Sequence, residues 1–264
     1  MKKKLGVIIS TMIMTQIIHA SVDEQSIKAG YEYKSYTQDR GDLNLGFIEY
    51  KLKKSNLTAI TKVTSAERDY GSNISHTGTK GDIDLYYKWN SLISTKTGIA
   101  ISDKTPTFLH QEYRQEFYIN PIKNLTLNFG GKHTKYENDI NVNSYSTGFS
   151  YHLNKVIFSY KYNNYHSSEK GNSHGNIIST KLKDKNGLGS SQIWFGFGTG
   201  AYQYEWEPSN SKMTGDFRSV ALRREQPINK NWTVSATLSQ VWYKPPMMEK
   251  YNSTSGMIDL KYRW

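Results

Sequence analysis

The strongest constraint in this sequence is a period of two. In the closing stretch STSGMIDLKYRW, Gly256, Ile258, Leu260, Tyr262 and Trp264 alternate with Asp259, Lys261 and Arg263 over the final residues. A strand sends successive side chains to opposite faces, so this segment carries one apolar face and one charged face. It then ends on an aromatic residue. A chain built from such segments can form a soluble sandwich or a barrel wall, but it cannot form a helix bundle.

The same alternation recurs about fourteen times between residues 21 and 264. Leu109–Ile119 places Tyr113, Gln115, Phe117 and Ile119 on one side and Glu112, Arg114 and Glu116 on the other. Asp82–Trp89 sets Ile83, Leu85, Tyr87 and Trp89 against Asp84 and Lys88. A midplane Arg facing lipid costs about 2–4 kcal/mol, so in a membrane wall the charged faces point inward. In Asp216–Glu225, the adjacent Arg223 and Arg224 cannot both point inward. Arg224 is expected outward at a rim, where the penalty falls to about 0–1 kcal/mol.

The connections separate into two kinds. Stretches such as Glu67–Gly81, Ser167–Gly175, Glu205–Gly215 and Lys244–Asn252 read as long polar loops. Lys53–Asn56, Asn90–Leu92 and Leu153–Lys155 read as tight turns. Long and short connections in alternation predict an all-β, transmembrane, antiparallel up-and-down barrel of about fourteen strands, within a range of 12–16. Both termini then lie on the periplasmic side. A propeller or solenoid would instead repeat at a fixed period, and none is present.

Trp232 and Trp242 supply a ruler. Ten residues at about 3.3 Å, tilted by about 40°, project to roughly 25 Å, the height of an outer-membrane apolar band. Trp89, Trp232, Trp242 and Trp264 are therefore candidate members of the aromatic girdles. Asp84, Lys88, Glu112, Arg114, Glu116, Arg223, Asp259, Lys261 and Arg263 are candidate lumen residues. They mix both signs, which suits either an open wall or one closed by cross-strand ion pairs.

Composition supports a wet interior. The apolar fraction is 36%, aromatics make up 13%, and there are 20 tyrosines. No cysteine is present, which excludes disulfides, thiolate metal sites and Cys nucleophiles. Lys2, Lys3 and Lys4, the apolar run Leu5–Ile18 and the small residue Ala20 predict a cleaved secretory signal over residues 1–20. Its removal lowers the formal charge from +11 to +8. The run is too short and too interrupted for a spanning helix of about 20 residues. Dispersed charge, export and the lack of a binding motif argue against nucleic acid as a partner.

Chemistry-bearing patterns are sparse. The seven histidines include no HExxH or other paired metal spacing, and no phosphate-cradling loop occurs. His166 and His174 fall near one predicted loop and read as solvated. His133 and Thr147 are the nearest approach to a base and nucleophile on an outer wall. No catalytic residue, cofactor or metal is expected. The alternatives to a channel or scaffold are a lipid-modifying barrel enzyme and an adhesin acting through loops Glu67–Gly81 and Glu205–Gly215.

Seven short motifs carry a family resemblance. They are YKWN (Tyr87–Asn90), TKTGIA (Thr95–Ala100), DKTPTF (Asp103–Phe108), QEYRQE (Gln111–Glu116), YKYNNYHSS (Tyr160–Ser168), GTGAYQYEW (Gly198–Trp206) and VWYKPP (Val241–Pro246). In this order, they resemble the YaiO-type outer-membrane β-barrel proteins. The resemblance implies insertion into outer-membrane lipid by the barrel-assembly machinery and supplies no catalytic motif. Some relatives sit beside polysaccharide-synthesis proteins, which makes saccharide a candidate solute. Relatives often close on Phe where this chain has Trp264. Ile258, Leu260, Tyr262 and Trp264 match the alternating signal that the assembly machinery reads.

Overall fold

The computed structural model describes residues 23–71, 74–103, 105–136, 140–168, 171–185, 189–201, 214–245 and 249–264. The expected signal segment lies outside them, as does most of the expected loop Glu205–Gly215. The strands are β1 (Glu24–Tyr36), β2 (Asp42–Lys54), β3 (Leu57–Asp69), β4 (Ser75–Lys88), β5 (Ile93–Ser102), β6 (Gln111–Ile122) and β7 (Leu125–Lys135). They continue with β8 (Asn141–Leu153), β9 (Val156–Ser167), β10 (Gly171–Lys183), β11 (Ser190–Ala201), β12 (Thr214–Pro227), β13 (Trp232–Lys244) and β14 (Tyr251–Arg263). Each pairs antiparallel with its neighbours in sequence, and β1 pairs with β14, so the sheet closes into a barrel of fourteen strands. The closing register runs from Ser26↔Arg263 to Tyr36↔Ser253.

Closure removes both sheet edges, so the wall's backbone donors and acceptors are met within the wall. The barrel is apolar outside and polar inside. Ile48, Val63, Leu238 and Ile258 project outward with 57%, 58%, 66% and 58% of their surface uncovered. Ser26, Thr64, Ser144, Ser235, Glu112 and Asp259 are buried within. A water-soluble domain inverts this distribution.

At the end holding both termini, several turns are tight. β2–β3, β6–β7 and β8–β9 are joined by two residues each, with Ser55, Asn124 and Asn154 at positive φ. Left-handed residues give such hairpins the twist of the strands they join. At the opposite end, two expected loops are shorter than the sequence suggested. β3 runs on to Asp69 and β4 starts at Ser75, both within the expected loop Glu67–Gly81. β10 starts at Gly171, within the expected loop Ser167–Gly175. These extensions are polar on both faces, so hydrophobic alternation does not reveal them. Their ladders nevertheless continue, through pairs such as Glu67↔Thr77 and Asp69↔Ser75. The Asn120–Asn124 turn also contracts, because β6 continues through a register shift to Ile122.

Gly98 shows how the interior wall is fitted. A Cβ there would fall 2.2 Å from Asp84 Oδ1 and 2.4 Å from Arg114 Nε, two groups that meet across β5. Outward Gly46 has nothing within 4 Å of the same position. Gly98→Ala should therefore destabilise the barrel by about 1–3 kcal/mol through overpacking. Gly46→Ala should stay within about 0.5 kcal/mol of the parent. Urea unfolding of both variants in detergent micelles measures the difference.

Candidate functional site in the barrel interior

The alternation of each strand delivers its polar face to the lumen, and neighbouring strands then bring opposite charges together. Arg114 on β6 is the hub. Its Nε donates to Asp84 Oδ1 on β4 at 2.8 Å and its Nη1 to Glu112 Oε1 at 2.5 Å. Lys132 on β7 reaches Glu112 at 3.3 Å, and Lys96 on β5 reaches Asp84 at 3.6 Å. Glu116 pairs at 2.8 Å with Lys161, which comes from three strands away on β9. Tyr118 donates a short hydrogen bond to the same carboxylate. Apart from Tyr118, these residues line a cavity of about 470 Å³ together with Lys62, Asp82 and Ser144.

A second group holds β10, β12 and β14. Arg223 Nη2 meets Asp259 Oδ2 at 2.9 Å and Arg223 Nη1 donates to Thr237 Oγ1 at 3.1 Å. Lys181 reaches Glu225 at 3.3 Å. Lys261 shares the inward parity of Asp259 and stands opposite Lys28 on β1. Lys88 and Arg263 have the same parity but sit exposed near the end that holds the termini. Arg263 Nη2 donates to the Lys230 carbonyl at 3.2 Å, tying the β12–β13 turn rather than joining the cavity.

Near the opposite end the interior is aromatic. Tyr36, Tyr243 and Tyr251 are buried together, packed against Leu43, Phe217 and Val241. The Arg68 guanidinium lies 4.0 Å from the Tyr36 ring centroid and 4.5 Å from that of Tyr70. Its Nη1 donates to the carbonyls of Arg40 and Asp42 at 2.9 and 3.1 Å, which binds the β1–β2 turn to β3. Arg40 in turn lies 4.4 Å from the Tyr251 ring centroid. No sequence expectation singled out this cluster. The signal is present in parity: Tyr36 shares its face with Glu32 and Lys34.

On the outer wall, the Trp232 ring lies tilted to Tyr262 at 4.7 Å, Tyr262 stacks on Trp264 at 5.6 Å, and Trp264 lies tilted to Tyr50 at 6.4 Å. Trp89 lies at the same end and contacts Tyr87 at 4.6 Å. Trp242 projects outward near the other end of β13. Ile258 and Leu260 project outward beside Tyr262 on β14. Arg224 also points outward, and its guanidinium holds the Asp184 carboxylate at 2.6 Å. That hydrogen bond keeps the Asp184 carboxyl below the ordinary aspartate range.

The structure separates the residues of the expected outer-wall pair. His133 Nδ1 lies 2.8 Å from Asn143 Oδ1, whereas Thr147 pairs with Phe129, four residues further along its strand. Four residues span about 13 Å, beyond hydrogen-bond reach. A different contact, His174 Nδ1 to Thr199 Oγ1 at 3.1 Å, emerges from the β10–β11 register. Among the described residues, no side chain hydrogen-bonds the other ring nitrogen to orient it as a base. His166 is engaged by Asn172 at 2.6 Å.

A closed fourteen-strand barrel with an apolar exterior and an ion-paired lumen defines a porin-like outer-membrane β-barrel protein. The sequence from residue 24 to residue 205 matches the YaiO membrane beta barrel domain, and the chain belongs to that family. Solved structures of similar fold include the CymD monoaromatic hydrocarbon channel, 6% identical, with a TM-score of 0.64 over 92% of this chain and 89% of that one. A bacterial polysaccharide outer membrane secretin is 9% identical, with a TM-score of 0.56 over 91% and 98% of the two chains. The outer membrane protein OprD from Pseudomonas aeruginosa is 9% identical, with a TM-score of 0.50 over 91% and 94%. At such identities, the likeness is one of fold.

Arg114 is the residue whose loss the lumen should feel most. Arg114→Met leaves Asp84 and Glu112 each without their closest cation. Breaking a buried pair in this way costs about 3–5 kcal/mol, and a hydrated lumen should hold the loss near the lower figure. Urea unfolding in micelles should show it. The double variant Arg114→Met with Asp84→Asn should recover part of the loss.

Proposed function

We propose that this barrel is a non-enzymatic conduit that passes small polar solutes, saccharides among them, through its charged lumen. The observation that carries the reading is the polar cavity of about 470 Å³ inside a closed wall. A barrel serving only as a scaffold has no need of such a chamber. Its volume lies within the range of small-molecule sites, about 300–1,000 Å³. Most of the wall's charges are paired and give it alternating donors and acceptors, which suits hydroxylated solutes.

In this reading, both termini face the periplasm, the outward aliphatic residues meet lipid, and Trp89, Trp232, Trp242 and Trp264 lie at the two headgroup levels. Purified barrel in planar bilayers should give discrete conductance steps, and proteoliposomes should swell in monosaccharide faster than in a trisaccharide. Silent bilayers together with non-swelling liposomes would overturn the proposal.

The same reading makes the closing strand an address for the barrel-assembly machinery. Trp264 exchanges backbone hydrogen bonds with Gln25 at 3.2 and 3.4 Å, at the end of the seam. Removing Trp264 should reduce the amount of heat-modifiable barrel in outer membranes severalfold. An undiminished folded band would count against an assembly role for the residue.

A further inference from the structure

The charges lining the lumen cavity do not cancel. Its cations are Lys62, Lys80, Lys96, Arg114, Lys132 and Lys161, against five carboxylates. Each carboxylate is engaged. Lys28 takes Glu49 at 2.8 Å, Lys80 takes Asp82 at 3.3 Å, and the other three belong to the Arg114 and Lys161 pairs. Lys62 is different. Its ladder partners Glu49 and Asp82 pair with Lys28 and Lys80 instead, no carboxylate among the described residues lies within ion-pair distance of it, and its Nζ sits 4.2 Å from the centroid of the Phe47 ring.

Phe47 is fixed in that position. Its side chain is 7% exposed, and it lies over Gly30, where a Cβ would fall 2.5 Å from the ring. Ring faces attract cations more weakly than carboxylates do, so the Lys62 ammonium remains under-compensated inside the wall. A second observation comes from β8. Ser144 lines the same cavity, is 7% exposed, and among the described residues its Oγ has no hydrogen-bond partner. Ser146, Asn163 and Tyr165 add further neutral polar groups to the lining. A surplus cation that shares one cavity with unsatisfied and neutral hydrogen-bonding groups describes a site for one negative charge on a hydroxylated body.

We propose that Lys62 forms an anion-binding point in the lumen, taking the carboxylate of a monoanionic, polyhydroxylated solute of the hexuronate class. The inference rests on the reading of the lumen as a solute path. The carboxylate meets the ammonium that the wall leaves unpaired, and the sugar hydroxyls meet Ser144 and its neighbours. The engaged carboxylates repel a second negative charge, which selects monoanions over dianions.

Titration calorimetry on the whole barrel in detergent micelles tests this, with galacturonate and galactose as probes. They share a skeleton and differ in the carboxylate. Wild-type protein should bind galacturonate about tenfold more tightly than galactose, the worth of one hydrogen-bonded charge. Lys62→Gln should abolish the preference, and Lys62→Arg should retain it. If Lys62→Gln does not give the heat-modifiable form, Lys62→Met, which keeps the stem over Phe47, takes its place. Equal affinities in the wild type, no binding of either sugar, or a preference that survives loss of the amine would each overturn the proposal. Bilayer conductance of the same wild-type preparation reports on the conduit reading separately.

Discussion

Everything in this protein follows from the need to satisfy its backbone where water is absent. An open sheet in lipid would leave a row of amides and carbonyls without partners at each edge, at several kcal/mol for each group. Pairing β1 with β14 abolishes both edges at once. With the ring closed, side chains have two destinations, and the period of two assigns them. Ile48, Val63 and Leu238 go out; Glu112, Asp259 and Arg223 go in.

That assignment creates the second problem of the fold, which is charge in a confined space. The solution is reach across intervening strands. Asp84 and Arg114 meet over β5 because Gly98 lies between them, and Glu116 finds Lys161 from three strands away. Each pair clips together strands that are not neighbours in the ladder. The ion pairs therefore brace the ring in directions that backbone hydrogen bonds do not. The aromatic cluster around Tyr251, with Arg40 and Arg68 against its rings, braces the end opposite the termini by a different chemistry.

Much of this was legible in the sequence. Strand number, antiparallel order and the inward parity of Asp84, Glu112, Arg114 and Asp259 all follow from alternation, because lipid enforces an apolar outer face. What was not legible lies where lipid has no say. The first residues of β4 and β10 are polar on both faces, so they resembled loop. Phe47, Tyr36 and Tyr251 are aromatic residues that face inward, and hydropathy alone sends them the wrong way. Lys62 lies in LTAITKVTSA, where Ile60 shares its inward face and blurs the pattern. The His174–Thr199 contact depends on the register between two strands, which side-chain periodicity does not specify.

The hairpins that continue past their expected ends change what this protein presents at that face. A polar ribbon held by its own ladder, like Glu67–Asp69 against Ser75–Thr77, has little conformational freedom left to lose. Anything that docks there meets a surface already ordered, so contact carries a smaller entropic penalty than folding a slack loop would. Discrimination at this rim then rests on shape and on fixed hydrogen-bonding positions, and partners that demand adaptation are disfavoured.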